Sequence, residues 1–231
     1  MRPSPVRSLR YRPCIHLACA LPVGLLRDKV YGRLLEEDLK IAVLSIIAFF
    51  IGSIPTGLLV AKARGIDLKR TGSGNIGATN VLRTTGKLPA LVTLVGDMAK
   101  GAASVWLARR YGLEAWGVGL VGFLAVTGHV FSIFLHFRGG KGVATAIGVL
   151  SIYSPQTCLF TIIIWAMTVS ITRYSSLGAL VSFALLPFSI VFLDSKEKLP
   201  LALCVLVLIA FRHTDNIRRL LAGTELKVGR K

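Results

Sequence analysis

Acidic side chains are scarce: 231 residues hold 11 Asp and Glu against 28 Lys and Arg, a formal charge of +17. Cysteine is scarce as well, at four positions (Cys14, Cys19, Cys158 and Cys204) without metal-ligand spacing. Neither a disulfide framework nor a metal site is therefore expected. There is no internal repeat of roughly 20–50 residues and no inverted repeat. The basic residues form no continuous stripe, because apolar runs interrupt them everywhere, and that argues against nucleic acid as a partner. What is abundant is apolar surface: 53% hydrophobic residues and a mean hydropathy of +0.66. Soluble domains seldom join such hydrophobicity to so large a charge, whereas a polytopic membrane protein does, with its charges crowded into loops.

The pattern predicts an all-α fold with about seven transmembrane helices. Residues 1–39 read as an N-terminal extension, disordered or mis-started, whose apolar patch Cys14–Leu26 is shorter than the ~20 residues of a span. Residues 40–231 read as one integral-membrane domain. Its expected spans are Ile41–Val60, Leu88–Leu107, Trp116–Phe134, Val143–Tyr153, Gln156–Thr172, Ser176–Leu193 and Leu199–Phe211. Pro55 should loosen the end of the first, leaving carbonyls in need of partners. With seven spans, 15 basic residues fall on the side of the first loop and the C-terminal tail, and four on the other. The positive-inside rule then places those loops and the tail in the cytoplasm.

Between the first two spans lies Gly72–Arg83, polar, glycine-rich and free of acid. Gly72, Gly74 and Gly77 permit tight turns and close approach to a ligand, while Ser73, Asn75, Thr79 and Asn80 supply short hydrogen-bonding side chains. A helix starting near Gly77 would favour an anion such as phosphate, which Arg83 would grip. A plain flexible connection is the alternative. Further on, Lys141 is set among Gly139, Gly140 and Gly142, again a phosphate-binding pattern, although G-x-x-x-x-G-K-[ST] fails. Asp97 and Lys100 share a helix face inside a span, either as a packing ion pair or as support for the site. His129 opens a stripe of Phe131, Phe134 and Phe137 that reads as packing. Arg173 and Ser176 stand at another helix end. His213 and Asn216 begin the tail three residues apart, and Arg218 and Arg219 read as contacts to lipid head groups.

Together, Ser73–Arg83, Gly128–Thr145 and Arg212–Gly229 resemble the three motifs of the bacterial acyl-phosphate-dependent glycerol-3-phosphate acyltransferases. The resemblance runs from about Leu44 to Gly229. It implies a multi-pass enzyme of the bacterial inner membrane with its site at the cytoplasmic face. Acyl phosphate and glycerol 3-phosphate would be the substrates, lysophosphatidic acid the product. It also implies no cofactor, contact with membrane lipids, and a functional link to the enzyme that makes acyl phosphate. Ser73, Gly74, Asn75, Gly77, Thr79, Asn80 and Arg83 would bind substrate with Gly139, Gly140, Lys141 and Gly142. His213, Asn216 and Ser176 would be catalytic; Asp97, Lys100, His129 and Arg173 would support them. Ser132 and Leu226 replace prolines usual in the family. No histidine begins the H-x-x-x-x-D pair of soluble-headed glycerolipid acyltransferases. An exporter of an anionic solute is the rival class, but it predicts a midplane site with broken helices, and here the polar motifs cluster at one face. A membrane scaffold leaves Lys141 unexplained.

Overall fold

The computed structural model describes residues 23–229, with side chains from residue 35 onward. Every regular element among them is helical. In chain order these are α1 (Val23–Ser53), α2 (Thr56–Lys62), α3 (Ala78–Thr84), α4 (Lys87–Arg110), α5 (Ala115–Val130), α6 (Val143–Tyr153), α7 (Pro155–Thr172), α8 (Ser175–Ala184), α9 (Leu186–Leu193), α10 (Leu199–Arg212) and α11 (Thr214–Leu221). The chain divides at Leu39, and Leu39–Lys231 is one unit holding all the motifs. Helix α1 starts at Val23, so residues 23–39 of the expected extension are helical. Cys14, Cys19 and most of the Cys14–Leu26 patch lie outside the described residues.

By length and composition alone, four to six of the expected spans can be recognised among the described residues. Among the described residues, Leu35–Lys62, Lys87–Arg110, Ala115–Leu135 and Pro155–Thr172 are long and apolar enough to cross a membrane. Two bent pairs, α8 with α9 at 43° and Lys196–Arg212 with α11 at 59°, bring the number to six. The expected span Val143–Tyr153 is α6, whose 11 residues reach only about 16 Å against a hydrocarbon core of ~30 Å. It is buried over most of its surface, an inner helix wrapped by the others. The expected single span Ser176–Leu193 breaks because Pro187 falls in the first turn of α9.

Two glycine crossings set the positions of the motifs. A Cβ at Gly52 of α1 would lie 2.1 Å from the Ala125 carbonyl of α5, and one at Gly128 of α5 would lie 2.1 Å from that of Phe49. The same reciprocity joins Gly101 of α4 to the Thr145 carbonyl and Gly148 of α6 to that of Met98. Without bulk at these points the backbones touch, as small-residue pairs allow between membrane helices. The break at Pro55 frees the carbonyls expected there, and both find donors: Ile54 O accepts from Lys100 Nζ at 2.8 Å, and Ser53 O accepts from Ser132 Oγ. Ser132 thus fastens α1 to the end of α5.

Candidate active site

The Gly72–Arg83 stretch is a turn wrapped around Asn80. The Asn80 amide nitrogen donates to Thr71 O (3.0 Å) and Asn75 O (2.8 Å), and its Oδ1 accepts from the Ser73 amide (2.8 Å). Both ends of the amide are engaged, so Asn80, expected among the ligands, shapes the loop and also borders the cavity described below. Gly72 and Gly74 sit at φ +66° and +72°, which a side chain rarely adopts; Gly77, at φ −77°, does not need to be glycine for that reason. Helix α3 starts at Ala78, as expected, and carries Arg83 a turn and a half later. Arg83 donates from Nη2 to Leu226 O at 2.8 Å, while its buried Nε has no hydrogen-bond partner among the described residues. Burial pulls its pKa down, opposed by the charge of Glu225.

The glycine turn before α6 is held from three sides. The Gly139 and Gly140 amides donate to Val130 O (3.0 Å) and His129 O (3.1 Å). Arg212 donates from Nε to Gly140 O and from Nη2 to Gly139 O, both at 3.2 Å. Underneath lies the His129 ring: a Cβ on Gly140 would come within 2.2 Å of Nε2. That ring is fixed, since His129 Nδ1 accepts from Lys100 Nζ at 3.1 Å and Lys100 pairs with Asp97 at 2.8 Å. An ammonium group only donates, so Nε2 carries the ring proton. The Asp97–Lys100 pair is therefore both a packing ion pair and the footing of the turn. The phenylalanine stripe is not a helix face, because α5 ends at Val130 and His136 and Phe137 adopt positive φ; Phe134 and Phe137 are exposed.

Beyond the turn, Lys141 Nζ donates to Asn216 Oδ1, and Asn216 Nδ2 donates to Glu225 Oε1 at 2.6 Å. Ser176 Oγ donates to the same oxygen at 2.7 Å, and Arg219 binds Oε2 at 2.7 Å. Residues 225–228 thus lie over the site as a strap. The Arg173 guanidinium and carbonyl take up the Val228 backbone, and Lys227 stacks on the Tyr174 ring. Burial would raise the Glu225 carboxyl, but hydrogen bonds from Ser176, Arg219 and Asn216 outweigh it and hold the pKa below its usual value. Burial brings Lys141 down to about 8, partly offset by Glu225. Burial, then the charge of Lys141, brings His213 down to about 4. His213 Nδ1 lies 2.8 Å from Ile209 O, which only accepts, so Nε2 is the unprotonated nitrogen. Of the two tail arginines assigned to lipid, Arg218 is exposed and Arg219 is not free for that role.

All three motifs meet at one cavity of about 280 Å³. Ser73, Asn75, Gly77, Thr79, Asn80 and Arg83 line it from the first motif, His129, Lys141 and Gly142 from the second, and His213, Asn216, Arg219 and Glu225 from the third, with Ser176 and Asp97 beside them. Its other end is apolar, walled by α4, α6, α7 and α8. A second, polar cavity of about 240 Å³ shares Ser73, Asn75, Lys141, Asn216 and Arg219 with the first and adds Gly74, Gly139 and Arg212. Gly140, Lys100 and Arg173 border neither and act through what they hold. Sequence reasoning missed Glu225, Arg219, Arg212 and Ser175, which lies 3.2 Å from Thr79. Glu225 had one weak signal: it is one of two acids, with Asp215, in a tail rich in Arg and Lys.

Apolar helices around a cavity with cationic side chains at one end and apolar ones at the other define a polytopic membrane protein. The family model described as glycerol-3-phosphate acyltransferase matches residues 42–223. A protein of that name from Geobacter sulfurreducens is 46% identical over 187 residues, covering 79% of this chain and 95% of its own. Another from Rubrobacter xylanophilus is 43% identical over 189 residues, covering 80% and 94%. Among solved structures, the glycerol 3-phosphate form of PlsY (YgiH), an integral membrane glycerol 3-phosphate acyltransferase, superposes with a TM-score of 0.78 at 37% identity, over 82% of this chain and 96% of that one. Its lysophosphatidic acid form gives 0.75 at 36%, over 81% and 94%. The chain belongs to the glycerol-3-phosphate acyltransferase family.

Proposed function

We propose that the protein transfers a fatty acyl group from acyl phosphate to the 1-hydroxyl of glycerol 3-phosphate, giving 1-acylglycerol 3-phosphate and inorganic phosphate. The observation that carries this reading is the pair of cavities on either side of Lys141 and Asn216. One joins phosphate-binding groups to an apolar recess and suits an acyl phosphate. The other is mostly polar and suits the small acceptor.

In the reaction, the acceptor hydroxyl oxygen attacks the acyl carbonyl carbon, the bond from that carbon to the phosphate oxygen breaks, and phosphate leaves. Lys141 and Arg83 bind the phosphates, and the glycine turns and Ser73, Asn75 and Thr79 align the two anions. Developing negative charge on the carbonyl oxygen is met by donors already in place, which costs no reorganisation at the moment of reaction. Ser176 and Asn216 orient the acceptor. The hydroxyl proton has two destinations, His213 Nε2 and the acceptor's own phosphate. A histidine held near pKa 4 is a weak base at neutral pH, which favours the phosphate and leaves His213 as an acceptor that orients the hydroxyl. An already activated donor makes an acyl-enzyme unnecessary. The loop charges favour a site at the cytoplasmic face of the inner membrane, within reach of an enzyme that makes acyl phosphate.

The test is incubation of purified protein with palmitoyl phosphate and glycerol 3-phosphate. Lysophosphatidic acid should form, and replacing the donor by palmitoyl-coenzyme A should give none. Product from the thioester alone would overturn the reading.

A further inference from the structure

The apolar part of the first cavity is lined partly by residues outside all three motifs, Phe183 of α8 among them. Ser176 marks the polar end on α8, and Phe183 lies seven residues further along the same helix. That separation is about 10 Å, the length of roughly eight methylenes. Phe183 borders the cavity and is only 1% exposed. Helix α8 finishes just beyond it at Ala184, and the fully buried Leu186 starts α9 at a 43° bend, with Pro187 in its first turn. Opposite stands Ile147 of α6, five residues beyond Gly142 and also buried. The side bounded by α7 is different, for Ile162 borders the cavity and is 39% exposed.

We infer that Phe183 is the floor of the acyl channel and a specificity-determining residue for the donor's chain length, a conclusion that rests on the proposed function. The first part of the chain lies between α6 and α8 and meets the Phe183 ring. Longer chains turn there and leave past Ile162 between the helices. The ring has no group that could bind a phosphate, so its effect is expected to fall on the tail. A methylene fitted into or refused by an apolar pocket changes kcat/KM by roughly tenfold or more. Removing the ring lets several more methylenes run straight on.

The experiment compares decanoyl phosphate with palmitoyl phosphate in the wild type, Phe183→Ala and Phe183→Leu, after gel filtration in detergent has shown each to be monodisperse. In Phe183→Ala the ratio of kcat/KM for palmitoyl over decanoyl donor should rise at least about tenfold, with a smaller rise in Phe183→Leu and an unchanged KM for glycerol 3-phosphate. A ratio unchanged in both variants, together with a changed ratio in Ile162→Trp, would overturn the inference and place selection at the lateral exit. A wild type inactive with every acyl phosphate would instead refute the proposed function, so the two failures are distinguishable. Phe183→Leu keeps the question open to test if the alanine variant fails to fold.

Discussion

Lys141 shows how much one residue's surroundings add to its identity. Its glycine setting was legible because turns are local: Gly139–Gly142 carry their conformational message in four adjacent letters. Its electrostatics were not, since the acid facing it comes from the tail. Glu225 meets Ser176 across 49 positions, and no pattern in the chain announces such a return. The same holds for Arg219, which resembles its exposed neighbour Arg218 in sequence and differs from it only through Glu225. Lys141→Ala removes a charge-assisted hydrogen bond worth about 1.5–3 kcal/mol, so kcat/KM should fall at least about tenfold in a folded variant. The pH profile should carry the same residue's signature. With its pKa lowered to about 8, Lys141 of the free enzyme is charged below that pH and loses its charge above it. The kcat/KM profile should therefore decline as pH rises through about 8, and the decline should vanish in Lys141→Arg. On the acid side His213 stays neutral down to about pH 4, so a limb near pH 6 belongs to substrate phosphate. That limb should persist in His213→Gln at reduced rate; its disappearance would make His213 the base.

Helices of this protein were read well where they are long and lie in contact with lipid, and less well where other helices shield them. Pro155–Thr172 and Lys87–Arg110 differ from the expected spans by no more than three residues at either end, because hydropathy records the surrounding solvent. Helix α6 has the same apolar letters but owes them to neighbouring helices, and hydropathy does not separate the two environments. The packing that decides its place is a matter of glycines meeting backbone. One such contact yields a prediction at this scale. In Gly140→Ala the new methyl would enter the space of His129 Nε2, and that ring is held by Lys100 and Asp97. Either the ring or the turn must move. The variant should insert and fold yet lose at least about tenfold in kcat/KM, chiefly through a higher KM for a phosphate-bearing substrate. His129→Ala in the same chain should restore part of the loss. Wild-type kinetics in Gly140→Ala would show that the prop has no bearing on the turn.

For the molecule as a whole, orientation is the quantity that the loop charges predict and the helices alone leave open. In a chain whose four cysteines are replaced by alanine, Arg218→Cys and Lys196→Cys report on opposite ends of the bent last span. Arg218→Cys should react with a membrane-impermeant thiol reagent only after the cytoplasmic face is opened, and Lys196→Cys in intact spheroplasts. The reverse pattern would invert the whole topology. The strap across the site also has a consequence for biogenesis. Glu225, Leu226 and Val228 are synthesised after every span, at the roughly 5–20 residues per second of a translating ribosome. Until they emerge, Ser176 and Arg219 lack their carboxylate, and Arg83 and Arg173 lack the carbonyls they hold. A chain truncated after Ala222 should therefore insert with its spans intact yet lose activity, which an assay of the truncated variant would check. A protease that clips the chain after Ala222 would likewise idle it without disturbing a single span, so the cell's count of inserted copies and its count of working copies are set by different stretches of the same polypeptide.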